Sequence, residues 1–214
     1  MNEALQRPHV WQPGSGAPPL LLLHGTGGDE HDLLDLGQYL APDSPVLSPR
    51  GTVLEAGMPR FFQRLREGVF DEDDLRFRAD ELVAFLTAAE QQYGVTPGSW
   101  LAVGFSNGAN MASALMLRHP EALAGAMLLA AMVPFREEGP QDDALNGKQV
   151  VIANGQLDPL ATPEQTATLV AHLRRRGADV QEIPFAGGHA IDPRTLPRLK
   201  NFIDARWGPR STVK

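Results

Sequence analysis

Trp100-Leu101-Ala102-Val103-Gly104-Phe105-Ser106-Asn107-Gly108-Ala109-Asn110-Met111-Ala112-Ser113-Ala114-Leu115 is the stretch whose reading decides the fold. Its apolar start reads as a buried strand, and the helix formers from Met111 onward read as a helix, with a sharp turn at Ser106 between them. Glycines at 104 and 108, two positions either side of the serine, remove the side chains that would collide where strand and helix cross. A turn of this Gly-x-Ser-x-Gly kind holds a hydroxyl out over the edge of a sheet, where it can act as a nucleophile. The pentapeptide alone also describes many glycine-rich turns, so its meaning depends on whether the chain supplies a base and an oxyanion site.

Upstream, Leu20-Leu21-Leu22-Leu23 is a continuously apolar run that delivers His24-Gly25-Thr26-Gly27-Gly28-Asp29-Glu30, a buried strand with a glycine-rich loop at its carboxyl end. Gly25-Thr26-Gly27-Gly28 fails the Gly-x-Gly-x-x-Gly spacing of a dinucleotide loop. A loop that exposes a backbone N–H to an oxyanion fits better, with Thr26 as the donor; the alternative is a tight turn chosen for packing alone.

Around these two loops the chain alternates strands and helices. Residues 9–12 read as an edge strand in a hairpin with the strand at 20–23, residues 32–40 as a helix, and residues 46–51 as a strand. Residues 52–74 form the longest irregular stretch and contain Met58-Pro59-Arg60-Phe61-Phe62. Arg60, Phe61 and Phe62 are candidates for one wall of a substrate pocket, with Arg60 meeting a polar or carboxylate end of the substrate. The alternative is a surface loop whose phenylalanines plug the core and whose arginine is solvated.

Residues 75–93 space Leu82, Phe85, Leu86, Ala89 and Tyr93 along one helical face, and Gly94 stops that helix. Residues 126–132 and 149–154 read as buried strands. Thr162-Pro163-Glu164-Gln165 opens a helix running to Gly177, residues 180–185 form the last strand, and a final helix carries Leu196, Leu199, Phe202, Ile203 and Trp207. The expected fold class is a three-layer α/β arrangement around a mostly parallel central sheet, in a single domain over 1–214 with about eight residues at the start and six at the end poorly ordered.

Parallel strands present all their carboxyl ends on one edge, and sites in such sheets lie there. Of the six histidines, His9 is near the terminus, His24 belongs to the glycine-rich loop, His31 opens a helix, His119 ends one, and His172 sits on an exposed-looking helix beside three arginines. Only His189 follows a strand beyond both Ser106 and an acid. Among the later aspartates, Asp158 alone lies at a strand's carboxyl end, in Gly155-Gln156-Leu157-Asp158-Pro159. The order Ser106, Asp158, His189 matches that of a nucleophile–acid–base triad on this kind of sheet.

Bulk properties narrow the partners. A net charge of -7 with 21% charged residues argues against a nucleic-acid or anionic-membrane surface. With no cysteine there is no disulfide framework, thiolate metal site or cysteine nucleophile. No His/Asp cluster has metal-ligand spacing, so neither a metal nor another cofactor is expected. The first residues lack the apolar core of a signal peptide, and no apolar run approaches spanning length, so a cytoplasmic protein without membrane insertion is expected. The expected partner is a small molecule, which the resemblance described next implies to be an ester. Oligomeric state stays open, an isologous homodimer being the commonest arrangement.

Taken together, residues 24–30, 104–110, 155–159 and Gly187-Gly188-His189 resemble the bacterial phospholipase/carboxylesterase branch of the α/β hydrolases, and the chain is similar to the acyl-protein thioesterases of the same superfamily. The likeness extends from about Leu20 to Trp207 and includes Met58-Pro59-Arg60-Phe61-Phe62. It implies a serine esterase that works through an acyl-enzyme, with backbone N–H groups of Thr26 and Asn107 as the oxyanion hole. Larger members insert a lid after the strand at 126–132; residues 133–148 leave too little chain for one. The Thr26-Gly27-Gly28-Asp29 loop and Asn107 depart from the thioesterase relatives, which points away from long-chain protein deacylation. The expected activity is cleavage of short or medium acyl esters, polar ones included. The alternatives are a thioesterase or lysophospholipase on the same triad, or a non-catalytic binding or sensing module on the same fold.

Overall fold

The computed structural model describes residues 5–208. The expectation of poor order at the two ends falls largely on residues 1–4 and 209–214, outside the described residues. In chain order the elements are β1 (His9–Gln12), β2 (Leu20–Leu23), α1 (Leu34–Leu40), β3 (Val46–Pro49), β4 (Val53–Glu55), β5 (Met58–Arg60), β6 (Arg64–Arg66), β7 (Val69–Phe70), α2 (Glu72–Tyr93), β8 (Leu101–Phe105), α3 (Asn107–Arg118), β9 (Gly125–Leu129), β10 (Gln149–Ala153), α4 (Pro163–Arg175), β11 (Asp179–Glu182) and α5 (Leu196–Trp207).

A seven-stranded sheet in the order β1-β3-β2-β8-β9-β10-β11 forms the middle layer, parallel except for β1. Strand alternation sorts its side chains onto two faces. Leu21, Leu23, Ala102, Leu128 and Ile152 pack with Leu82, Phe85, Met111, Leu115 and Leu169 from α2, α3 and α4. Leu20, Leu22, Val103, Met127 and Val151 pack with Leu40, Leu199 and Phe202 from α1 and α5. Because both faces are covered, the central strands β2, β8 and β9 are apolar and buried at nearly every position, whereas the edge strands β1 and β11 carry polar residues.

Three expectations are corrected. β1 is an edge strand but pairs antiparallel with β3, not in a hairpin with β2. The turn between β1 and β2 is tied to the segment before β3, Ser15 and Gly16 both donating N–H to the Asp43 carbonyl, and β2 is taken up on both sides by parallel partners. Residues 52–74 are not irregular: β4 and β5 form one hairpin and β6 and β7 another. The first turns through Ala56 and Gly57, both at positive φ (50° and 82°), as a two-residue hairpin connection requires. Third, α2 begins at Glu72 and not at Leu75, because Asp71 caps it by accepting the Asp74 N–H, and Glu72, Asp73 and Asp74 sit favourably at the positive end of the helix dipole.

Between β9 and β10, residues 130–148 contain no helix or strand, and no lid covers the sheet edge there. Order reversal matters more for function. From β2 the chain moves outward to β3, whereas from β8 it moves the other way to β9, so β2 and β8 are neighbours at the switch point where a crevice opens. The glycine-rich loop and the Ser106 turn leave the sheet side by side.

Candidate active site

The turn at Ser106 is held by backbone packing. A Cβ on Gly108 would lie 2.0 Å from the Leu23 carbonyl oxygen, and one on Gly104 would lie 2.6 Å from the Gly108 carbonyl, so α3 crosses β2 and β8 at a distance only glycine permits. Ser106 adopts φ 52° and ψ −113°, a sparsely populated conformation for a residue with a side chain. Its N–H donates to the Leu129 carbonyl at 2.8 Å, fixing the turn against β9. The hydroxyl therefore stands clear of the strand end, at the start of α3, where the first N–H groups of a helix lack intrahelical partners and the dipole favours negative charge.

Asp158 and His189 arrive from neighbouring loops. The Gln156 N–H donates to the Phe185 carbonyl and the Leu157 N–H to the Gly187 carbonyl, each at 2.9 Å, so the loops after β10 and β11 are laced together. Asp158 Oδ1 accepts from Leu160 N and Ala161 N at 2.8 and 3.0 Å, which leaves Oδ2 for His189 Nδ1 at 2.7 Å. An ionised carboxylate only accepts, so Nδ1 carries a proton and Nε2 is the acceptor. That Nε2 lies 2.8 Å from Ser106 Oγ. The arrangement can move the serine proton to an imidazole whose tautomer is set by a fully buried carboxylate.

The glycine-rich loop after β2 rests on His24. Its Nε2 accepts from Gly51 N at 2.9 Å, so the proton sits on Nδ1, which donates to the Gly25 carbonyl at 2.6 Å. Accepting at Nε2 needs the neutral ring, and burial lowers its pKa below the ordinary 6.5. As the pH falls below that value the unfolded chain takes up a proton the folded chain resists, so stability, complete above it, declines with acidification. Burial lowers His172 in the same direction. Urea unfolding followed downward from neutral pH is expected to show this loss in the wild type and a shallower one in His24→Asn; parallel slopes in the two would contradict it.

Of the residues expected to line a pocket, Phe61 and Phe62 are in the core, Phe61 with its ring 4.8 Å from that of His24 and Phe62 edge-on to Phe70. Arg60 is 3% exposed and already engaged: Nη1 donates to Thr26 Oγ1 at 2.7 Å and lies 3.2 Å from Glu55 Oε2, and Nε donates to the Phe62 carbonyl at 3.2 Å. The hairpin folds these three side chains inward because their backbone continues into contact with both active-site loops. Thr26 is half-buried beside Ser106's strand, and Asn107 is buried at the first position of α3. His172, expected on an exposed helix, is buried, since it occupies the inner face of α4 with Leu169 and Leu173.

Sequence reasoning passed over two asparagines. Asn154, just beyond β10, accepts from Ala131 N at 2.9 Å and donates to the Ala131 carbonyl at 2.8 Å; Asn110 in α3 accepts from Met132 N at 2.7 Å. Together they hold the segment after β9 against the Ser106 turn, where Ala130 sits at φ 54°. A single amide inside an apolar run, as in Val150-Val151-Ile152-Ala153-Asn154, was the available signal.

The profile of the Phospholipase/Carboxylesterase family matches residues 8–206 of the chain. MhqD of Bacillus subtilis (strain 168), a protein named as a hydrolase, is 46% identical over 183 residues, covering 86% of this chain and 90% of that protein. The crystal structure of a Bacillus cereus carboxylesterase superposes with a TM-score of 0.90 at 41% identity, over 95% of this chain and 99% of the other. A carboxylesterase from Mesorhizobium loti gives 0.83 at 30% identity, over 92% and 91%.

Proposed function

The chain belongs to the phospholipase/carboxylesterase family and is an enzyme of carboxylesterase type, and from that premise we propose that it cleaves carboxylic esters of short or medium acyl chains through an acyl-enzyme on Ser106. The observation that carries this reading is the relay from Ser106 Oγ through His189 to Asp158, at 2.8 and 2.7 Å.

A serine hydroxyl is a poor nucleophile at neutral pH. His189 Nε2 takes its proton as Oγ attacks the ester carbonyl and returns that proton to the departing alkoxide, while Asp158 holds the ring and stabilises its charged form. The oxyanion of the tetrahedral intermediate is held by the N–H groups of Thr26 and Asn107, each donor worth about 3 kcal/mol in comparable sites. Water, activated by the same histidine, then releases the acid.

The open sheet edge and the apolar side chains beside it support the acyl preference. Met58 lies across the Gly27 position, with Sδ 3.6 Å from where a Cβ would be, and Leu157, next to Asp158, is 77% exposed. With p-nitrophenyl acetate, butyrate, octanoate and palmitate, kcat/KM is expected to peak at or before octanoate. A continued rise to palmitate would point to a long-chain lipase or thioesterase instead.

A further inference from the structure

Three consecutive residues of the β4–β5 hairpin and its exit each make one bond to an active-site loop. The Pro59 carbonyl accepts from Gly27 N at 2.9 Å, Arg60 Nη1 donates to Thr26 Oγ1 at 2.7 Å, and Phe61 N donates to Asn107 Oδ1 at 2.7 Å. Thr26 and Asn107 are the two residues assigned as oxyanion donors, and they follow the ends of the neighbouring strands β2 and β8.

The peptide that carries the Thr26 N–H is anchored at its Gly25 carbonyl, which accepts from His24 Nδ1 at 2.6 Å and from Gly28 N at 3.2 Å, and no bond within the loop holds the other side of Thr26. Thr26 lies between Gly25 and Gly27, the latter at φ 84°, and glycine flanks leave a main chain free to turn. The hairpin supplies the second restraint, on the far side of Thr26, through the side chain of Thr26 and the N–H of Gly27. Asn107 carries a matching sign: its Oδ1 is used by Phe61, while its buried Nδ2 has no partner. An unpaired buried donor is destabilising, so this side chain is placed for the bond it does make.

Arg60 is the centre of the restraint. Its charge is balanced by Glu55, which a second arginine, Arg64 of β6, also holds at 2.9 Å, so the two hairpins are joined behind the site. The Nε and Nη1 of Arg60 are taken by protein groups and the side chain is 4% exposed, so the guanidinium is held in one orientation.

We propose that Arg60 is a positioning residue for the oxyanion hole: acting through Thr26 Oγ1, and with Pro59 and Phe61 on either side, it aims the Thr26 N–H at the developing negative charge and couples that donor to the one at Asn107. This rests on the esterase reading. The Arg60 contact is made to a side chain, whereas the reacting group is the main-chain N–H beside it, so its loss leaves the donor present but misdirected. Interactions realised only in the transition state then suffer, and ground-state binding does not.

The experiment compares wild type, Thr26→Val, Arg60→Lys, Arg60→Met and the double variant Thr26→Val/Arg60→Met with p-nitrophenyl butyrate, alongside binding of a trifluoromethyl ketone, which forms a tetrahedral adduct on a nucleophilic serine. Thr26→Val keeps the N–H and nearly the same volume but removes the acceptor. Thr26→Val and Arg60→Met are each expected to lower kcat about 10- to 100-fold, with KM within about threefold and the ketone weakened by the same factor as kcat. Arg60→Lys recovers part of the loss, and the double variant is no worse than either single one, since both remove the same bond. Unchanged kcat, a rise in KM alone, or losses that multiply in the double variant would overturn the proposal. If Arg60→Met does not fold, Thr26→Val decides by itself. A wild type that turns over no ester overturns the esterase reading along with this one, whereas an active wild type with unchanged variants overturns this one alone.

Discussion

Ser106→Ala is expected to lower kcat for a p-nitrophenyl ester by about four orders of magnitude or more and to leave the thermal unfolding transition nearly in place. The catalytic loss is large because the oxygen that forms the acyl-enzyme is gone, and His189 and Asp158 have nothing to activate. Little stability goes with it. Alanine keeps the Cβ at φ 52°, so backbone strain is neither added nor relieved, and the N–H bond to the Leu129 carbonyl is untouched. The only bond removed is that to His189 Nε2, on a side chain 27% exposed and thus open to solvent. The change in folding free energy is expected within about 1 kcal/mol. Turnover and melting measured on the same preparation check both halves, and a variant that retains a substantial fraction of wild-type kcat would remove Ser106 from the mechanism.

Asp158→Asn is expected to cost about three to four orders of magnitude in kcat, by a different route. The Leu160 and Ala161 N–H groups both need an acceptor, so the asparagine must turn its oxygen to them and its amide nitrogen to His189. An NH2 facing Nδ1 can only donate, which forces the ring proton onto Nε2, the nitrogen facing Ser106. The base then points a proton at the group it should deprotonate. Since the side-chain volume and the two backbone bonds survive, the fold is retained. The ring tautomer can be read from the imidazole nitrogen resonances of His189. A variant with wild-type kcat, or one whose proton stays on Nδ1, would contradict this mechanism.

How far the residues announced this site depends on where each one's constraints lie. The Ser106 turn was legible because its demands are local: two glycines, a strand before and a helix after. Asp158 and His189 were legible because parallel strands bring their carboxyl ends together, and chain order then left one acid and one histidine in place. The hairpins over residues 53–70 were not. Their strands are short, contain Pro59 and several arginines, and take their direction from partners distant in sequence, Thr26 for Arg60 and Asn107 for Phe61. Periodicity carries no record of such pairings, so Arg60 read as a substrate contact and the phenylalanines as a pocket wall. The partner of β1 was hidden for a similar reason, being chosen by bonds from Ser15 and Gly16 to Asp43. His172 was misjudged because Arg174, Arg175 and Arg176 beside it suggested a solvated face, whereas spacing from Leu169 and Leu173 places it inward.

The fold is thus organised to bring four loop ends to one edge: the glycine-rich loop after β2, Ser106 after β8, Asp158 after β10 and His189 after β11, to which the proposed mechanism gives the roles of donor, nucleophile, acid and base. Asn154, Asn110 and the β4–β5 hairpin hold these ends in register from behind. Incubation of the wild-type protein with a fluorophosphonate, followed by peptide mass analysis, tests the central claim most directly. A single covalent adduct on Ser106, absent from Ser106→Ala and strongly slowed in Asp158→Asn, is the predicted result; an unmodified protein, or a label on any other residue, would contradict it.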